Sequence, residues 1–441
     1  MAKSGSVAWM LVLLLIVGCN GTASNSENAG DKGEERKENQ LADEYKGGPA
    51  ELVVYDRNAG LTDEEFQKVF VQPLKAKYPE ISLKHVKAAT ISLENMLAGG
   101  TPPDIVLTSN VALATIADMD YPTDVNEMMA RFKVDMGRVE PAVVTELRKF
   151  GKKGELFGIP FAMNYGAMMY NKDVFDKFAV AYPRDSMTWD EIYELAIRLT
   201  RTDGNVKYIG ASPGPANWKF RQYSLPVFDD KTGRASVSTE GHKKAFELMQ
   251  KFYKIPGYVD QAVFEYPDEV FVKEGRMAMF PTWIAGVTYY LNQSGGKLPF
   301  NWDLAAYPAF ADRPNLGQPV DFHSALVYKA SKNKEAAYQL LRLLLTDDIQ
   351  MMLSRGGRLP VIKDDAIRKQ FGEENGYYKG KNLQAIFKVG PSPAPSASIY
   401  DTKINVLVNT ELAKSIAVDG VDINSALRSA EEKANKEIVQ K

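Results

Sequence analysis

Few side chains in this sequence have the type and spacing for covalent chemistry. The three histidines, His85, His242 and His323, form no H-E-x-x-H pair, so a histidine-rich zinc site is not expected. Gly210-Ala-Ser212-Pro-Gly214 matches G-x-S-x-G, the turn that lifts the nucleophilic serine of many hydrolases. That turn uses the backbone N–H of the residue after serine to hold an oxyanion, and Pro213 has no N–H. Ser331-Lys-Asn-Lys334 matches S-x-x-K, but Ser and Asn also suit a helix start, and no Lys-Thr-Gly partner follows. A phosphate-cradling G-x-x-x-x-G-K-[ST] is missing. These patterns assign no catalytic residue, no metal and no cofactor. Non-covalent recognition remains, for which the chain offers 5 Trp and 21 Tyr. Such counts discriminate little between ligands, so the placement of the aromatics is the useful filter.

The amino terminus sets the compartment. Lys3 precedes an apolar run from Val7 to Val17, shorter than the roughly 20 residues needed to span a bilayer but suited to a secretory signal. The run ends in Leu15-Ile16-Val17-Gly18-Cys19, which resembles a bacterial lipobox. The expectation is a signal peptide over 1–18, removed before an acylated (palmitate-bearing) Cys19. Because the chain has 1 Cys, disulfide frameworks and thiolate clusters are excluded. Residues 19–48 are rich in Gly, Ser, Asn, Glu and Lys and should form a disordered, lipid-anchored tether. Such a flexible leash reaches about 30 Å. The expected location is therefore the extracytoplasmic side of the cell membrane. A formal charge of −2 gives no electrostatic footprint for nucleic acid. With 45% hydrophobic residues in a 441-residue chain, two or more folded units are expected.

The elements that must position the recognition groups alternate between strands and helices. Glu51–Tyr55, Ile81–Val86 and Asp104–Thr108 read as strands. Thr62 with Glu65, and Thr188 with Glu191, form capping-box patterns ahead of helices, the first with Pro73 as a kink. Gly99-Gly100 closes a helix around Leu93 to Leu97. Further helices are expected over His242–Tyr253, stopped by Gly257, and over Lys334–Leu345 and Ile423–Val439. The Ser/Pro run from Gly390 to Ser396 reads as a loop. This alternation indicates an α/β layered fold. Arg57-Asn58 and Ser109-Asn110 then stand just past the carboxyl ends of strands, where open α/β sheets bind ligands.

An ordered set of short motifs resembles the family 1 extracellular solute-binding proteins, the group of maltose-binding protein. It comprises Gly99-Gly100-Thr-Pro-Pro-Asp104, Gly154-Glu-Leu-Phe-Gly-Ile-Pro160, Asn164-Tyr165-Gly166 and Tyr170-Asn-Lys-Asp173. Gly275-Arg-Met-Ala-Met279 with Trp283, Ser331 to Ala336, and Ala426 to Lys436 complete it, so the likeness covers about residues 50 to 441. The resemblance implies a two-lobed, periplasmic-binding-protein-like (type II) α/β clamp with three hinge crossings, near Phe161–Ala167, Ala305–Ala309 and Ser354–Arg358. Lobe 1 would hold 49–163 and 309–354, and lobe 2 would hold 164–308 and 355–441. It also implies no catalysis, a monomer, and delivery of a sugar or oligosaccharide to the permease of an ABC importer. By position, Trp283 would stack on a sugar ring, with Asn164, Tyr165, Asp321, His323 and Arg358 at the cleft; Trp218, in what reads as a loop from Pro213 to Arg221, is a further candidate. Thr108 stands where maltose-binding protein has tryptophan, which argues against linear maltodextrin. Two other readings stay open: a secreted glycan-processing enzyme with paired carboxylates, and the ligand-sensing partner of a membrane sensor kinase.

Overall fold

A computed structural model describes residues 45–151 and 153–439. The signal segment, Cys19 and the tether up to residue 44 lie outside the described residues. The rest is built on two separate sheets. The first runs, edge to edge, Leu359–Pro360, Ile159–Asn164, Asp321–Val327, Ile105–Ser109, Ala50–Asp56 and Ile81–Lys87. The strands 50–56, 81–87 and 105–109 are parallel, and 321–327 lies antiparallel between 105–109 and 159–164. The second sheet runs Trp302–Ala306, Gly166–Asn171, Met277–Trp283, Val206–Ala211 and Arg201–Asp203. Ile105 to Ser109 are all buried, as expected of a strand covered by helices on both faces.

Both capping boxes close as the sequence predicts. The Thr62 hydroxyl accepts from the Glu65 N–H while the Glu65 carboxylate accepts from the Thr62 N–H, and Thr188 and Glu191 repeat the exchange. The Trp189–Leu199 helix turns Trp189, Ile192, Ala196 and Leu199 inward against the second sheet. Its contact explains Gly210: a Cβ there would come within 2.3 Å of the Ala196 carbonyl. Pro73 lies inside one continuous helical run, Asp63–Lys77, and the turn ahead of it widens to a π-helix over Gln67–Val71, which accommodates the missing N–H. The helix expected over His242–Tyr253 begins at Glu240, capped by Thr239, and ends before Gly257 is reached. Gly390–Ser392, expected as loop, pairs with Leu316–Pro319 in a two-stranded ribbon. Proline is tolerated on an edge strand because one face of the backbone has no ladder partner.

The chain passes between the lobes three times. Tyr165 alone separates the last strand residue in the first sheet from the first in the second. The second passage falls later than the sequence places it. Ala309 pairs with Thr188, accepts the Trp189 N–H at 2.9 Å, and so remains with the second sheet. The Gln318 amide likewise donates to the Trp218 carbonyl at 3.1 Å, so the second passage comes at Val320. Leu359–Pro360 still pairs with Met163 and Ala162, and Glu374 N–H still reaches the Arg355 carbonyl. The second lobe is already met at Gly357, whose carbonyl accepts the Thr288 hydroxyl at 3.0 Å, and at Tyr377, whose hydroxyl donates to Asn292 at 2.6 Å, before the Lys381 ammonium reaches the Trp302 carbonyl at 2.7 Å. Residues 309–319 therefore keep company with the second sheet, and the strand 359–360 pairs with the first. Gly356-Gly357 forms a turn, with Gly357 at φ +86°.

Candidate functional site

The strand directions bring two carboxyl edges face to face. Asp56, Ser109 and Asn164 end strands of the first sheet, and Asp321 begins the antiparallel strand at the same edge. Ala211, Trp283 and Ala306 end strands of the second sheet, and Gly166 begins its antiparallel strand opposite Trp283. Tyr165 joins the two edges. Its carbonyl accepts the Ile284 N–H at 2.8 Å, and the Asn164 side-chain oxygen accepts the Ala285 N–H at 3.0 Å. The Ile284–Gln293 helix is thus capped by the hinge itself.

On the first-lobe wall, much of the expected hydrogen-bonding capacity is already used. The Asn58 amide donates to Ser109 Oγ at 2.9 Å, and its oxygen accepts from the Ser109 N–H and the Thr108 hydroxyl at 2.8 and 2.9 Å. Asn58 therefore staples two strand ends together. Asn110 accepts the Phe322 N–H at 3.2 Å and fixes the start of the hinge strand. Arg57 has one nitrogen 4.0 Å from Glu94 and another shielded from solvent with no hydrogen-bond partner. Arg358 and His323 sit apart from the open wall. Arg358 donates to both Glu65 oxygens and to the carbonyls of Ala59 and Gly60, which leaves no evident donor for a solute. Burial would raise Glu65, but the Arg358 charge and hydrogen bonds outweigh it and hold the carboxyl below its usual range. His323 is 5% exposed, lies 3.5 Å from Arg358 through Nδ1, and is pushed down to about 3 by burial, with the neighbouring guanidinium adding to the effect. The pair braces the first lobe from within.

The second-lobe wall is more open. Trp218 and Trp283 are half-buried and meet edge to face, with centroids 6.2 Å apart and planes at 77°. Arg221, one helical turn after Trp218 on the Ala216–Gln222 helix, places its guanidinium carbon 5.5 Å from the Trp283 centroid. Sequence reasoning missed Arg221; its i+3 spacing from Trp218 in a helix was the available signal. Beneath that helix Lys219 is fully buried, 3.8 Å from the Trp189 ring centre, and burial pushes its ammonium well down. Asp321 accepts from the Asn164 amide at 3.4 Å through one oxygen, while the other is shielded without a partner. Burial pushes the Asp321 carboxyl up and the Arg221 guanidinium down, and each charge partly restores the other. Burial also raises the Tyr165 hydroxyl to about 12, with Glu140 adding to the shift and Arg368 opposing it. Asn164, Tyr165, Trp218, Trp283 and Asp321 thus gather at the hinge. Trp189 and Trp302 are packing residues, 1% and 5% exposed.

The hydrolase-like turn has structural explanations. Gly210 admits the Ala196 backbone, and Gly214 takes φ +78° against the Trp218 ring. His85 and His242 lie elsewhere, stacked on Phe66 at 4.0 Å and against Phe220 at 4.5 Å. Cavities of about 450 and 220 Å³ open by Val206–Lys207 and by Asn171–Gly275, at the opposite edge of the second sheet from the cleft. Among the described residues, no His, Cys, Asp or Glu cluster is arranged to hold a metal, and no helix is long and apolar enough to cross a membrane.

Comparison with known proteins places this geometry in context. A binding protein of Brucella abortus (strain 2308) is 27% identical over 227 residues, 48% of this chain and 52% of the relative. The chain therefore spans about half the length of the curated relatives it matches. A Listeria monocytogenes ABC substrate-binding protein solved with cycloalternan superposes with TM-score 0.72 at 18% identity, covering 88% of this chain and 99% of that one. A Thermotoga lettingae solute-binding protein bound to α-D-tagatose gives 0.68 at 18%, covering 88% and 99%. UgpB of Mycobacterium tuberculosis with glycerophosphocholine gives 0.69 at 16%, covering 89% and 99%. At these identities the likeness establishes the fold, a type II two-lobed α/β clamp. The profile of the bacterial extracellular solute-binding proteins matches residues 70–373, most of the chain, and the chain belongs to that family.

Proposed function

We propose that the chain captures a sugar or oligosaccharide between its two carboxyl edges and delivers it to the permease of an ABC importer. The observation that carries this reading is the half-open Trp218–Trp283 pair beside Arg221 and Asp321, at the point where the lobes join. A tryptophan face at this edge-to-face pair matches the apolar side of a pyranose, and the flanking charged groups match its hydroxyls. Relatives of the same fold solved with cycloalternan and tagatose support the sugar class. The protein acts as a binder rather than a catalyst, as a monomer, and Cys19 carries the lipid that keeps it on the extracytoplasmic face. A single acyl chain anchors only marginally, so a second chain on the same residue is part of this reading.

A thermal-shift screen of neutral and charged oligosaccharides, with chromatography of each glycan afterwards, tests the proposal. One sugar class should raise the melting temperature and be recovered intact; saturation at 100 times Kd stabilises by about 2.7 kcal/mol. Cleaved glycan overturns the binder reading in favour of a glycan-processing enzyme. In the same cells, Cys19→Ser should move the protein from the washed membrane fraction to the soluble one, and retention on membranes counts against the anchor.

A further inference from the structure

Trp218 stands on a helix that its own sequence does little to hold. The segment from Pro213 to Arg221, which reads as a loop in the sequence, closes into a helix of 7 residues, Ala216–Gln222. A helix this short is marginal alone, and its N-cap residue, Pro215, has no polar side chain to satisfy the first free N–H groups. The missing cap comes from 192 positions further along the chain. Asn409 accepts the Asn217 N–H through Oδ1 at 3.0 Å, and its Nδ2 donates back to Asn217 Oδ1 at 3.1 Å. Asn409 belongs to a π-helical turn, Val408–Leu412, set inside a helical run from Asp401 to Ala417. The buried pairs Leu407–Val408 and Leu412–Ala413 lie five positions apart there, the spacing of a π turn. Such single-turn insertions are rare and recur at functional sites. On the receiving helix, Ala216, Lys219, Phe220 and Gln222 are buried and fixed by packing, whereas Asn217 and Trp218 are half-buried. The clasp therefore holds the part of the helix that packing leaves free. Two further contacts act on Trp218 itself. Gln318 donates to its carbonyl at 3.1 Å, and Gly214, at φ +78°, lets the ring lie where a Cβ would come within 2.9 Å of it.

Resting on the sugar-binding reading above, we propose that Asn409 is a positioning residue for the solute site, capping the Ala216–Gln222 helix so that Trp218 keeps its angle to Trp283. Asn409 acts through Asn217, one residue before Trp218. Without the clasp the first turn of the helix frays, and the indole leaves the edge-to-face contact that sets its centroid 6.2 Å from that of Trp283. With the clasp the aromatic pair is ordered before a solute arrives, so that binding need not supply the ordering. The carboxyl-terminal segment thereby contributes to solute affinity through the helix it caps.

Fluorine NMR of the intact chain labelled with fluorotryptophan tests this without any solute, each resonance being assigned by a single tryptophan-to-phenylalanine replacement. Asn409→Ala should shift and broaden the Trp218 resonance and leave that of Trp302, which packs against Tyr378. Asn409→Asp keeps an acceptor for the Asn217 N–H and should return the Trp218 resonance close to its wild-type position. Titration with gluco-, galacto-, manno- and xylo-oligosaccharides reads the effect on binding. The tightest of these should bind Asn409→Ala about 2- to 30-fold more weakly, the range for a lost helix cap. In a Trp218→Ala background, Asn409→Ala should cost nothing further. Asn217→Ala removes one of the two bonds and should move the same resonance by less; it stands in should Asn409→Ala fail to fold by circular dichroism. An unmoved Trp218 resonance in Asn409→Ala overturns the inference. An equal loss of affinity with Trp218 present or replaced overturns it too, as does a shift of Trp302 along with Trp218, which means general loosening. Wild-type protein that answers no sugar takes down the sugar reading, while the Trp218 resonance still decides whether Asn409 holds the ring.

Discussion

Trp283 shows what can be read at the level of one residue. Its place after Gly275-Arg-Met-Ala-Met279 pointed to the cleft, and the structure sets it half-buried at the last position of its strand. Arg358 shows the limit of such reading. A loop arginine beside two glycines looked free to bind, but sequence does not reveal that the Ala59 and Gly60 carbonyls and Glu65 consume its donors. Arg221 is the converse, a helical arginine that gains its meaning from Trp283, 62 positions away in the chain. Trp283→Ala removes the stacking face and also the ring beneath Arg221. Stacking contributes about 0.5–1.5 kcal/mol beyond burial, and burial adds roughly 1.5–3. The expected loss is about 2–4 kcal/mol, or some 30- to 1000-fold in solute affinity. The empty protein should lose less stability than this, because the ring is already partly wet. Titration and melting of the same variant decide between roles: a large drop in apo melting temperature with unchanged affinity would make Trp283 a packing residue.

At the level of elements, helices with chemical punctuation were the most legible. Thr62/Glu65 and Thr188/Glu191 marked helix starts because a capping box satisfies backbone groups locally, without help from the rest of the fold. Elements whose partners are distant in sequence were the least legible. Gly390–Ser392 becomes a strand only because Leu316–Pro319 lies beside it, and Leu359–Pro360 only because Ile159–Asn164 needs an edge partner. The buried histidines belong to this scale, since the packing of elements holds them neutral. Burial pushes His323 to about 3, with Arg358 adding to it, and His242 to about 4, against weak opposing contacts. Between those values and the unfolded value near 6.5, the unfolded chain binds protons that the folded protein refuses. Stability from this source therefore rises with pH across that window, by at most about 1.4 kcal/mol per pH unit for each histidine. Asp401, raised to about 6 by burial, works in the opposite sense over part of the range. His323→Gln should flatten the rise of melting temperature between pH 5 and 6.5. An unchanged slope would mean that His323 takes up its proton in the folded state.

The whole molecule is two stiff sheets joined by short passages, an arrangement that concentrates motion in very few bonds. Tyr165 is one passage and Val320 another, while the third lies between Gly357 and Lys381. Buried hydrogen bonds fix the pivot without locking the cleft. Asn164 ties Asp321 to the start of the Ile284–Gln293 helix, and the Thr288 hydroxyl reaches the Gly357 carbonyl at 3.0 Å and the Tyr378 hydroxyl at 2.8 Å. A solute drives such a clamp shut only if it binds the closed form more tightly than the open one. Contacts to both carboxyl edges at once provide that difference. Small-angle scattering should therefore show a smaller radius of gyration when the solute found by screening is saturating. Asn164→Ala supplies the sharper test, since it cuts the tie to Asp321 and uncaps Ala285 while leaving Trp218, Trp283 and Arg221 in place. A looser pivot should broaden the unliganded ensemble, raising its radius of gyration, yet the saturated variant should close to the wild-type dimension with reduced affinity. If wild-type protein keeps the same radius empty and saturated, the two lobes form a rigid pocket, and recognition by a permease must depend on the solute itself rather than on closure.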